Sequence, residues 1–264
     1  MAWKSKGNQT TMNENTDLLQ PRSASSGDGD THGGSGEPVA PMPHLALALS
    51  LRFVLILLMG VCLHLAGQSL LWTDLGIIAV DVITLATLAH LMRGEGRRLR
   101  DLYVPTGGAD IAWGLLFSLI IIVGFFVSNI LANLIVYHGA PPAQPSSFVP
   151  PLWLGALALA VMPLTIAFAE EGLYRSYLLP RLARRMGQVP ALLLVSVFFG
   201  LQHIGFAVPD GQQMLSRALT TLFAGLLFGG LWLWKRKTVP LVIGHWLLDF
   251  LFLGLPVFYM ATSA

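Results

Sequence analysis

Beyond residue 44 the chain is a succession of long apolar segments separated by short polar or proline-rich breaks. The segments fall at about 45–67, 70–92, 111–136, 152–179, 189–207, 215–234 and 239–260. A helix rises about 1.5 Å per residue, so roughly 20 apolar residues cross a hydrocarbon core of about 30 Å. The pattern predicts an all-α fold, a polytopic transmembrane helical bundle of seven spans, with six and eight as the neighbouring counts. Two segments are interrupted by charge. Arg52 breaks the first, where a place near a helix end would let it snorkel to the headgroups, and Asp74 and Asp81 weaken the second. Residues 1–43 show no such pattern. From Ser23 to Pro43, twelve of 21 residues are Gly, Ser or Pro, a composition too poor in apolar surface to offset ordering entropy, which predicts a disordered tail ahead of a transmembrane domain at 44–264. The first apolar run begins only near Leu45, too late for a secretory signal, so the first helix is expected to stay as an anchor.

Composition sharpens this. Hydrophobic residues make up 54% of the chain and charged ones only 11%, against about 25% charged in soluble domains, which excludes a soluble globular protein. A single cysteine, Cys62, excludes a disulfide framework and multi-thiolate metal centres, so any metal must be held by His and carboxylate. The net charge of +2 says less than its placement. Arg93, Arg97, Arg98 and Arg100, then Arg181, Arg184 and Arg185, then Lys235, Arg236 and Lys237 occupy alternate loops, while the opposite loops contain only Arg217. Basic loops stay cytoplasmic, so the tail is expected in the cytoplasm and the C-terminus outside it, in the plasma membrane if the host is a bacterium. The same clusters suit anionic lipid headgroups. Nothing in the sequence points to nucleic-acid recognition.

Ionisable groups inside membrane helices are costly and mark function by default. The segment Glu170-Glu171-Gly172-Leu173-Tyr174-Arg175 sets two carboxylates in an apolar helix with an arginine one turn on. Glu171 and Arg175 are i,i+4 and can pair, whereas Glu170 points about 100° away and is left free. Phe199-Gly200-Leu201-Gln202-His203 supplies one imidazole, and His245 with Asp249 at i+4 supplies a second beside a carboxylate. If the helices bearing Glu171 and His203 form a hairpin turning at Gly187, each residue is 16 positions from the turn and the two share a depth. His245, eight residues past Lys237, lies roughly 12 Å in from the same face.

Glu-Glu-x-x-x-Arg at 170–175, Phe-x-x-x-His at 199–203 and His-x-x-x-Asp at 245–249, in that order, resemble the CPBP family of intramembrane proteases. That family includes the type II CAAX prenyl proteases and bacterial Abi-type homologues. The resemblance covers about residues 152–260 and implies an endopeptidase that activates water in a cavity within the membrane. Carried over by position, Glu170 would be the water-activating base, assisted by His203. His245 and Asp249 would stabilise the oxyanion or complete the site, and Glu171 and Arg175 would shape it. The family most often has Asn where Asp249 stands. An ionised Asp cannot donate to an oxyanion, which suits it better to orienting His245 or to holding a metal.

Two chemistries remain open at this point. Glu170, His203 and His245 would suit Zn2+ with an open water position, although the H-E-x-x-H spacing is absent. A metal-free site would use Glu170 with His203 as general base. The implied substrate is a peptide or protein, lipidated or membrane-embedded. Two rival classes stand beside the protease: a non-catalytic membrane binding or immunity protein, and a transporter in which Asp81, Glu170, Glu171 and His203 relay protons. No convincing repeat links residues 45–136 with 152–260, which argues mildly against the transporter.

Overall fold

A computed structural model describes residues 40–67, 70–143 and 149–263 of the chain. The tail assigned to residues 1–43 lies, up to residue 39, outside the described residues. Seven helices are long and apolar enough to cross a membrane, and no strand occurs among the described residues. They are α1 (Met42–Leu65), α2 (Leu70–Gly94), α3 (Ala109–Tyr137), α4 (Leu152–Met186), α5 (Gln188–Ala207), α6 (Gly211–Lys235) and α7 (Val239–Thr262). Leu58, Ile111, Leu119 and Ile130 expose large apolar side chains on the outer faces. Such surface is stable only against lipid. The protein is an integral membrane protein.

Three helices are interrupted, and the interruptions follow the prolines. Pro163 lacks the amide for an i→i−4 bond and crowds that carbonyl, and α4 breaks at Val161 just before it. The stretches Glu171–Leu178 in α4 and Phe250–Gly254 in α7 are wide π turns. Each ends two residues before a proline, Pro180 and Pro256, where a missing donor favours a looser turn. The third interruption is a tightening, because α5 ends as a 3-10 turn over Gln202–Ala207.

That 3-10 turn packs against α1 at backbone contact. A Cβ on Gly60 would lie 1.9 Å from the Gly205 carbonyl oxygen, and one on Gly205 would lie 2.4 Å from that of Ile56. Only glycine permits this approach, which brings Arg52 of α1 beside Gln202 of α5. Gly60→Val is therefore expected to cost about 1–3 kcal/mol of stability by overpacking. Thermal unfolding in detergent checks this, with Gly230→Ala, where no neighbouring atom lies within 4 Å, expected to match wild type.

α3 packs along α6 and α7, α5 along α6, and α2 against the first half of α4. The main apolar core, with Leu88, Met92, Leu102, Leu173, Tyr177 and Leu182, sits towards the ends joined by the basic loops. The other half holds a smaller apolar cluster, Ala158, Met162, Ile166 and Val257, beside a cavity.

Candidate active site

The cavity, of about 640 Å³, is lined by Glu170, His203, His245 and Asp249 together with Arg52 and Phe199. The three segments expected to converge therefore do so. Glu170 lies at the end of the regular part of α4, His203 in the 3-10 turn of α5, and His245 and Asp249 on the α7 turns just before its π stretch.

Glu170 is not free. Its Oε1 accepts from Arg52 Nη2 at 2.9 Å and from Gln202 Nε2 at 3.0 Å. Arg52 does not snorkel. It is 1% exposed, and its guanidinium serves four partners, donating also from Nη1 to Asp81 Oδ1 at 2.5 Å and the Thr84 hydroxyl at 3.4 Å, and from Nε to Gln202 Oε1 at 2.9 Å. Asp81 is held on its other oxygen by the Thr165 hydroxyl at 2.8 Å. Tyr174 donates to Gln202 Oε1 at 3.0 Å, which makes it part of the support. Glu170 Oε2 faces the His245 ring instead, 3.8 Å from Nε2.

Glu171 turns the other way, as the helix geometry required. Its Oε1 accepts from His245 Nδ1 at 2.8 Å and from Arg175 Nη1 at 3.3 Å. The Arg175 guanidinium also stacks over Phe199 at 4.1 Å and Phe228 at 5.1 Å from the ring centroids, so aromatic faces share in solvating a fully buried cation. Asp249 Oδ2 approaches His245 Nε2 at 3.4 Å without forming a hydrogen bond. Orientation of His245 thus rests on Glu171, with Asp249 as a flanking charge. Beneath Glu171, Tyr103 packs on Gly172, where a Cβ would meet its hydroxyl at 2.3 Å, and donates to the Phe168 carbonyl at 2.8 Å. Burial and the Glu171 carboxylate push the Tyr103 phenol above its ordinary range, keeping it a neutral donor.

His203 Nδ1 lies 2.8 Å from the Phe199 carbonyl. A carbonyl only accepts, so the proton sits on Nδ1 and Nε2 keeps its lone pair. A metal fits this arrangement poorly. No group of three His, Cys, Asp or Glu side chains among the described residues comes together at ligand spacing, and the Oε1 of Glu170 is already engaged by a guanidinium. Glu170, His203 and His245 share one cavity without forming a metal-ligand set.

Arg52, Gln202 and Thr165 were not legible as site residues, and Asp81, placed in the sequence only as a member of a transporter's proton relay, is instead the counter-charge of Arg52. The available signal was depth: Arg52 is ten residues into α1 and Asp81 thirteen from the end of α2, roughly 15 and 20 Å from the same face, beyond the reach of snorkelling and opposite in charge.

This constellation has a counterpart among known families. A family model described as type II CAAX prenyl endopeptidase Rce1-like matches residues 151–251. Over residues 151–251 the chain is similar to that family. The matched segment contains Glu170, Glu171, Arg175, His203, His245 and Asp249, whereas Arg52 and Asp81, which hold Glu170 in place, lie outside it. No curated protein and no solved structure matches the chain.

Proposed function

We propose that the protein is an intramembrane endopeptidase of the CAAX-protease type that hydrolyses a peptide bond with water activated by Glu170 and His203. The observation that carries this is the split use of one carboxylate. Oε1 of Glu170 is saturated by Arg52 and Gln202, while Oε2 faces the cavity opposite His245.

A water beside Oε2 would lose a proton to Glu170 as its oxygen attacks the substrate carbonyl, with the unprotonated Nε2 of His203 as second acceptor. His245, donating from Nδ1 to Glu171, in its imidazolium form presents Nε2–H to the developing oxyanion, its charge matched by Glu171 and Asp249. Proton transfer from Glu170 or His203 to the leaving nitrogen breaks the C–N bond and yields a carboxylate and an amine. Asp249 acts on His245 and touches no oxyanion in this scheme. The scheme routes no step through a metal, a reading supported by the lack of a three-donor His, Cys, Asp or Glu cluster among the described residues.

Purified protein in detergent should cleave members of a panel of lipidated and unlipidated peptides. His203→Ala is expected to cut about 100-fold more slowly, the scale of a lost general acid–base group. A metal chelator should leave wild-type turnover unchanged, and loss of activity restored by Zn2+ would overturn the metal-free scheme. A second reading is favoured by the close pairing of Arg52 with Glu170: a non-catalytic binding protein whose buried charges lock helices together. It requires that the wild type cut nothing and that Glu170→Gln keep the cellular function.

A further inference from the structure

The cavity belongs to one half of the bundle. Along its length it is lined by Asp74 in the first turns of α2, Tyr137 at the end of α3, Pro141 just beyond it, Gln213 and Arg217 in the first turns of α6, and Val257 near the end of α7. Those are the helix ends opposite the loops that carry Arg93 to Arg100, Arg181 to Arg185 and Lys235 to Lys237. Among the described residues, no lining residue comes from the basic-loop ends of the helices.

The basic side is closed by a packed and bonded layer. Leu102, Leu173, Tyr177 and Leu182 are buried in the core there. Arg181 pairs with Glu95, Lys237 pairs with Asp110 at 2.6 Å, the Ser176 hydroxyl bonds the Leu102 carbonyl, and Tyr103 seals against Gly172 and Phe168. The cavity that reaches Glu170 thus extends towards the far-side helix ends. Arg217, expected in a loop, lies instead inside α6 on the cavity wall. Discounting it leaves the far-side loops with no Lys or Arg at all.

Short loops rich in Lys and Arg stay in the cytoplasm. From the cavity mouth and this charge asymmetry together, we infer that the site opens to the extracytoplasmic side and takes peptide segments presented there or in the outer half of the membrane. The term substrate rests on the protease reading above, whereas the direction of the opening does not.

The test uses the full chain expressed in bacterial cells, with Cys62→Ser removing the single native thiol. Gln213→Cys places a thiol at the mouth, and Gly107→Cys places one in a basic loop, where an added Cβ meets nothing within 4 Å. A membrane-impermeant maleimide is expected to label Gln213→Cys in intact cells and Gly107→Cys only after permeabilisation. The reverse pattern overturns the inference. In detergent, a bulky maleimide on Gln213→Cys should abolish peptide cleavage, and an unchanged rate would show that this mouth is not the substrate route. If the unlabelled protein cuts no peptide, the protease reading falls, while the labelling pattern still decides the direction of the opening.

Discussion

Glu170→Gln should leave a folded membrane protein that cleaves peptide about 1000-fold more slowly than wild type, within the range for loss of a positioned general base. Glutamine keeps the shape of the side chain and an oxygen that can still accept from Arg52 and Gln202, the two donors on Oε1. What it loses is the ability of the second oxygen to take a proton from water. The fold has reason to tolerate the change, since Arg52 retains Asp81 at 2.5 Å as its counter-charge. Initial rates and thermal unfolding of the same preparation separate the two effects. An unchanged rate would remove Glu170 from the chemistry, and a collapse of stability would make the residue chiefly a lock between α1 and α4. Glu171→Gln differs in kind, because Glu171 meets His245 and Arg175 rather than open cavity. Its effect should run through the placement of His245.

The span count and the helix-face argument at Glu170 and Glu171 were legible because both depend only on local periodicity. Apolar length identifies a membrane helix, and the 100° step from one residue to the next turns adjacent carboxylates in different directions, Glu170 to Arg52 and Glu171 to Arg175, with His245 between them. Depth counted from the basic loops likewise pointed to segments that do meet: His245 bonds Glu171 at 2.8 Å, and His203 lines the same cavity as Glu170 and His245. What stayed hidden depends on which helices become neighbours. The partner of Glu170 is 118 positions away on α1, brought there by the Gly60–Gly205 contact, and no periodicity within one helix reports a contact between two. The cavity's mouth was hidden for the same reason: it is the set of helix ends that the core leaves unfilled.

Arg52→Met is expected to destabilise the protein by about 3–5 kcal/mol, the scale for breaking a buried ion pair by removing one partner. Asp81 and Glu170 are 0% and 3% exposed, so neither can recover in solvent what it loses in the guanidinium. Thr165 and Gln202 still donate to them, but two neutral donors do not balance two charges. Removing the second charge as well separates stability from catalysis. Arg52→Met with Asp81→Asn should regain part of the unfolding midpoint, because one unpaired carboxylate has gone, yet remain inactive, because Oε1 of Glu170 is no longer held and Oε2 no longer has a fixed aim. Arg52→Lys completes the argument. An ammonium on a flexible stem keeps the charge but cannot serve Asp81, Glu170 and Gln202 at once, as Nη1, Nη2 and Nε of the planar guanidinium do. It should therefore retain most of the stability and lose turnover by about 100-fold, the penalty for a reacting group displaced by about 1 Å. A lysine variant with wild-type turnover would mean that Arg52 supplies charge alone and that the aim of Glu170 is set by Gln202.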